Sequence, residues 1–187
     1  MGRIHDGIDG RLGEWLEAQP VFFVATAPSD RDGHLNLSPK GNRGELAVLD
    51  SGRVAYLDQT GSGIETLAHL SDDGRIVVMA CAFEGAPRIV RLHGRGRAVL
   101  PGDPDWDHLA GRFVARGGDP DGPGVRSVVV VEVTRVADSC GYGVPFMAFA
   151  GHRPTMDEWA ARKGREGLAS YRAAHNSTSL DGLPGLS

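Results

Sequence analysis

Apolar residues in this chain recur mostly as short alternating or two-faced runs, separated by turns rich in Gly, Pro and Asp. That rhythm predicts β-strands. Residues 21–27 form one strand, 30–33 a polar turn, and 34–38 a second strand stopped by Pro39. Residues 45–49 and 53–58 read as paired strands joined by Asp50-Ser51-Gly52, a hairpin signal. Residues 75–83 carry Ile76, Val78 and Ala80 on one face and Val77, Met79 and Cys81 on the other, which predicts a central strand. In residues 88–100, Val90, Leu92 and Ala98 share one face while Arg91, His93, Arg95 and Arg97 share the opposite one. Residues 125–136 are the longest strand.

Helical spacing is confined to a few places. Asp9 is placed to cap a first helix whose Leu12, Trp15 and Leu16 lie on one side, and Pro20 ends it. Residues 64–70 and 104–115 predict two more helices, with a Gly/Pro/Asp loop over 117–124. Thr155 and Glu158 have capping-box spacing at the start of a helix reaching about Ala174. Its Ala160, Gly164, Gly167 and Tyr171 suggest close packing, against this chain or a second copy. Six or so closely spaced strands with one inserted helix predict a mainly β fold, an antiparallel barrel rather than a parallel βαβ sheet. The expected organisation is one domain over 1–175 and an irregular tail over 176–187.

Composition narrows the function. A net charge of -4 argues against a nucleic-acid partner. No apolar run is long enough to span a bilayer, and the first residues hold no apolar signal region, so the expected location is cytoplasmic. The seven histidines show no zinc-like spacing and the two cysteines form no Cys-x-x-Cys, so no metal site is expected. Cys81 reads as a core residue, and Cys140, in a Gly-rich turn, could be reactive; a disulfide between them is disfavoured in a reducing compartment. Gly94-Arg95-Gly96 lies within a strand and opens no helix, so it is not a dinucleotide fingerprint.

The richest stretch is Thr60-Gly61-Ser62-Gly63-Ile64-Glu65-Thr66, between a strand and a helix start. Unpaired N–H groups beside the positive end of a helix make a site for phosphate. Ser62 and Glu65 also have the spacing of a capping box, which needs no ligand, and both readings stand. The basic face of the 88–100 strand is likewise either solvated or in part a ligand contact.

Taken in order, several segments resemble the flavin-binding split-barrel superfamily typified by pyridoxamine 5'-phosphate oxidase. They are the 21–27 strand, Asn36-Leu37-Ser38-Pro39-Lys40-Gly41, the 53–58 strand with Gly61-Ser62-Gly63-Ile64-Glu65-Thr66, Arg88-Ile89-Val90-Arg91-Leu92-His93-Gly94, and Ser139-Cys140-Gly141-Tyr142-Gly143-Val144-Pro145. The Ser-Pro-Lys-Gly and Ser-Cys-Gly-Tyr signatures are most similar to an "oxidase-related" branch. The resemblance covers roughly residues 10–150. It implies a six-stranded antiparallel Greek-key split barrel with peripheral helices, paired as a homodimer with FMN at the interface. The cofactor-binding residues it implies are Ser38, Lys40, Asp58, Ser62, Gly63, Thr66, Arg88, Arg91, Cys140 and Tyr142.

The chain departs from the oxidases where phosphate charge is met. They place an Arg-Lys pair after the helix-start Ser, and here Gly63 and Ile64 follow Ser62; Ser38 stands where they carry an Arg. Lys40, Arg88 or Arg91, with Arg88 foremost, is expected to supply the charge. Elements that recognise the pyridoxal substrate have no counterpart. The expectation is an FMN-dependent oxidoreductase for a small organic substrate, with no catalytic residue assigned. The alternatives are a deazaflavin or haem enzyme, the latter with His93 as axial ligand, and a non-catalytic flavin-binding or carrier module.

Overall fold

The computed structural model describes residues 2–42 and 44–186. Eight strands form one antiparallel sheet: β1 (Ile4–His5), β2 (Phe22–Thr26), β3 (Asn36–Lys40), β4 (Leu46–Asp50), β5 (Arg53–Gln59), β6 (Arg75–Cys81), β7 (Ile89–Val99) and β8 (Val125–Ser139). Their order is β3-β2-β6-β7-β8-β5-β4, with β1 added to β8. The expected mainly β, antiparallel fold is found, but the expected six-stranded split barrel is corrected in its strand number and its closure. Among the described residues there are eight strands, and no pairing joins the end strands β3 and β4, so the sheet does not close.

The end strands explain one shifted boundary. Pro39 does not stop β3; the strand runs through it to Lys40, with Pro39 opposite Phe23. A strand with one unpaired edge can hold a residue that lacks an N–H. β6 is an interior strand between β2 and β7, with Ile76, Val78 and Ala80 in the core and Val77 and Met79 half-buried on its other face.

Two packed layers use opposite faces of β5 and β8. Val54, Tyr56, Val129 and Val131 join Phe22, Val78 and Leu92 in one core, which the helix α1 (Gly10–Glu17) closes with Leu12 and Leu16. Ala55, Leu57, Val128 and Val130 pack on the other side against Trp106, Leu109 and Phe113 of α3 (Trp106–Val114). The Asp9 carboxylate accepts from Leu12 N at 2.8 Å and caps α1 as the sequence predicts.

Neither expected capping box forms. Helix α2 (Glu65–Asp72) begins after Ile64, which occupies the cap position fully buried and without a side-chain cap bond. Anchoring Ile64 in the core places the cap position two residues beyond Ser62. Helix α4 (Thr155–His175) follows Pro154, again without a side-chain cap, and is broken at Gly164, whose φ of 66° is left-handed. Residues 176–186 fold back: Thr178 bridges Pro184, Asn176 is fully buried, and Leu186 packs on the main core. Both cysteines are free.

Candidate functional site

A cleft of about 960 Å³ opens where β3, the end of β5, the start of α2 and the helix α4 meet. Ser38, Lys40, Ser62, Gly63 and Thr66 line it, together with Glu45, Arg126, Trp159 and Tyr171. Behind this wall sits Asp58, fully buried near the end of β5. Lys40 Nζ donates to Asp58 Oδ1 at 2.9 Å, and Arg126 Nε donates to Asp58 Oδ2 at 2.5 Å. Burial would push the Asp58 carboxyl up, but Lys40 and then Arg126 overcome it and hold the group below the ordinary carboxylate range. Two cations share one carboxylate, so the cluster keeps a net positive charge facing the cleft.

Arg126 is itself buried. Its Nη1 donates to the Gly63 carbonyl and to Asn176 Oδ1, each at 3.0 Å. The Asn176 amide donates in turn to the Gly61 carbonyl at 3.1 Å. From α4, Arg172 Nε donates to Thr60 Oγ1 at 2.8 Å. These bonds turn the Gly61 and Gly63 carbonyls toward the protein. Among the described residues, no acceptor is found for the N–H groups of Glu65, Thr66 and Leu67 at the start of α2. They are free donors at a positive helix end.

A polar chain fixes the side wall. Asn36 Nδ2 donates to Thr66 Oγ1 at 2.9 Å and to Thr26 Oγ1 at 3.2 Å, while Ser38 Oγ donates to Asn36 Oδ1 at 3.1 Å. Because Thr66 Oγ1 already accepts, its own hydrogen remains available to a ligand. Thr26 Oγ1 also lies 3.0 Å from Nδ1 of the buried His69.

The structure does not bring all the expected residues together. Arg88 lines a second cavity of about 990 Å³, stacked 5.1 Å over the Trp15 ring with Nη2 3.4 Å from Asp138 Oδ2. Arg91 Nη1 donates to Ser139 Oγ at 3.1 Å. Neither Arg91 nor the exposed Cys140 and Tyr142 line either cavity, and the same holds for His93. Sequence reasoning missed Arg126, Asn176 and Arg172. A signal existed only for Arg126: a charged residue inside the apolar run Val125–Val131 must have a buried partner.

Comparison with known proteins decides the family. The model of the pyridoxamine 5'-phosphate oxidase family matches residues 8–140. The chain belongs to that family. The pyridoxamine 5'-phosphate oxidase family protein ustO of Aspergillus flavus is 39% identical over 200 residues, spanning 100% of this chain and 78% of the relative. Among solved structures, the conserved hypothetical protein Rv2991 of Mycobacterium tuberculosis superposes with a TM-score of 0.53 at 15% identity, covering 80% of this chain and 98% of that one. An FAD-binding protein from Mesorhizobium loti superposes with a TM-score of 0.50 at 13% identity, covering 74% and 96%. At these identities the likeness is one of fold. The pyridoxamine 5'-phosphate oxidase family thus accounts for the β framework.

The donor set fits a phosphorylated flavin. Free N–H groups, the Thr66 hydroxyl and a net positive cluster converge on one end of the cleft, as a phosphate requires. The wall also carries an aromatic pair, Trp159 and Tyr171, in edge contact at 5.1 Å between ring centres. Among the described residues no helix is long and apolar enough to cross a membrane, and no group of His, Cys, Asp or Glu could hold a metal ion.

Proposed function

We propose that the protein is a flavin-dependent oxidoreductase that binds FMN in this cleft and acts on a small organic substrate. The observation that carries the reading is the unpaired start of α2 beside the Lys40–Asp58–Arg126 cluster. Glu65, Thr66 and Leu67 would give backbone N–H groups to the phosphate, and Thr66 and Ser62 their hydroxyls. Lys40 and Arg126 would supply the charge that Gly63 and Ile64 do not. Flavin bound there supplies the hydride chemistry, and the protein orients it and excludes water.

The active form is a homodimer in this reading. Arg88, Arg91, Cys140 and Tyr142 would face the flavin held by the other subunit. Exposed Tyr142, Phe146, Met147 and Phe149, close together in the chain, support that pairing because such side chains are ordinarily covered. The chemistry is set in the cytoplasm, without a metal or nucleic acid.

FAD is the second reading, favoured by the cleft volume of about 960 Å³ and the aromatic pair in its wall. One experiment tests both. The purified chain is mixed with FMN or FAD, desalted and scanned in the visible range, then treated with dithionite and exposed to air. Retained flavin bands that bleach and return support the proposal, and the better-retained flavin names the cofactor. A colourless protein after both incubations overturns it.

A further inference from the structure

The carboxyl of Glu45 belongs to the cleft wall yet lies outside the cluster around Asp58. It is 5% exposed and immediately precedes β4. Its Oε1 accepts from Gln59 Nε2 at 3.0 Å and from Asn42 Nδ2 at 3.1 Å, and its carbonyl accepts from Leu57 N at 3.0 Å. Both side-chain partners are neutral amides, so they orient the carboxyl without fixing its charge. The other acids here are committed: Asp58 to two cations, and Glu65 to Leu180 N at 3.3 Å. Among the described residues, the charged groups facing Glu45 are Lys40 from β3 and Asp157 from α4, of opposite sign. Burial dominates and holds the carboxyl above its ordinary range, with the two amides and Lys40 opposing the rise and Asp157 adding to it.

We propose that Glu45 is the proton-exchanging group of the cleft: it takes up a proton at Oε2 when bound flavin gains electrons and releases it on reoxidation. The inference rests on the flavin reading above. Electrons entering the cleft add negative charge beside a buried carboxylate, which responds by binding a proton. The electrons come from an external reductant and the proton from solvent. The O–H bond forms at Oε2 because Oε1 is occupied by two N–H donors; on reoxidation that bond breaks and the proton returns to solvent.

The test is the pH dependence of the midpoint potential of FMN-loaded protein, poised with dithionite, for the parent, Glu45→Gln and Glu45→Asp. The parent potential should fall more steeply with pH across the window where Glu45 titrates. Glu45→Gln should lose that extra slope, and Glu45→Asp should keep it in a displaced window. Identical slopes for parent and Glu45→Gln overturn the proposal. A second measurement needs no variant: reduced-minus-oxidised infrared spectra of the loaded parent should show a protonated-carboxyl band gained on reduction, and its absence is equally fatal. Failure of the parent to hold FMN fells the flavin reading and this inference together, whereas loaded protein with unchanged slopes sinks the Glu45 assignment alone.

Discussion

Arg126 and Asn176 are fifty positions apart in the chain and 3.0 Å apart in the fold, joined by a hydrogen bond from the guanidinium to the amide oxygen. The bond fastens the carboxy-terminal tail to the wall of the cleft. Asn176 also holds the Gly61 carbonyl, so one side chain sets both the cation and the turn before α2.

Replacing it should therefore do two things at once. Asn176→Ala leaves a buried guanidinium N–H and a carbonyl without partners, and stability should fall by about 1–3 kcal/mol. FMN affinity should fall with it. Urea unfolding and FMN titration measure the two effects, with Leu180→Ala as the control. Leu180 is in the same tail but 71% exposed, and its change should stay within about 0.5 kcal/mol. An Asn176→Ala protein as stable as that control would detach the tail from the site.

Asp58 should dominate acid stability. Removing a buried carboxylate between two cations costs on the order of 3–5 kcal/mol, so Asp58→Asn should unfold well before the parent at neutral pH. Lys40 and Arg126 depress the folded pKa below the unfolded value, which is about 3.9. The stabilisation is present above that unfolded value and is lost as pH falls through the folded one. Parent stability should thus drop more steeply than that of Asp58→Asn below about pH 4, and the two curves should converge. Parallel curves down to the acid limit would exclude Asp58 as the source.

Ser62 separates a ligand role from a structural one. Ile64, not Ser62, holds the cap position of α2, and no side-chain cap bond exists. Ser62→Ala should then leave thermal stability essentially unchanged, rather than costing the roughly 1 kcal/mol of a lost cap. It should weaken FMN more than riboflavin, which has no phosphate. A stability loss with equal weakening of both ligands would restore the capping role.

How far the sequence carried the account depends on the kind of contact. Residues 53–58 and 125–136 were legible as strands because both faces of each are packed, and Asp9 because a cap is a local bond. The Ser62–Glu65 spacing misled because burial of Ile64, a long-range effect, decides where α2 begins. Pro39 misled because the rule against proline in strands relaxes at an edge, and edges are known only once pairing is known. Lys40 was named from a family signature, and its partner Asp58 was expected among the cofactor contacts rather than as the buried anchor of two cations. Asn176 gave no signal at all: a tail without periodicity shows its role only when folded against Arg126.

The central claim is that the α2 start and the Lys40–Asp58–Arg126 cluster bind the phosphate of a flavin. Parallel calorimetric titrations of FMN and riboflavin into the parent and Lys40→Ala test it most directly. The parent should prefer FMN, and Lys40→Ala should cut that preference by roughly ten- to a hundredfold, since a hydrogen bond to a charged group contributes about 1.5–3 kcal/mol. Riboflavin affinity should change little. Equal binding of the two ligands by the parent, or an FMN preference untouched in Lys40→Ala, would contradict the account.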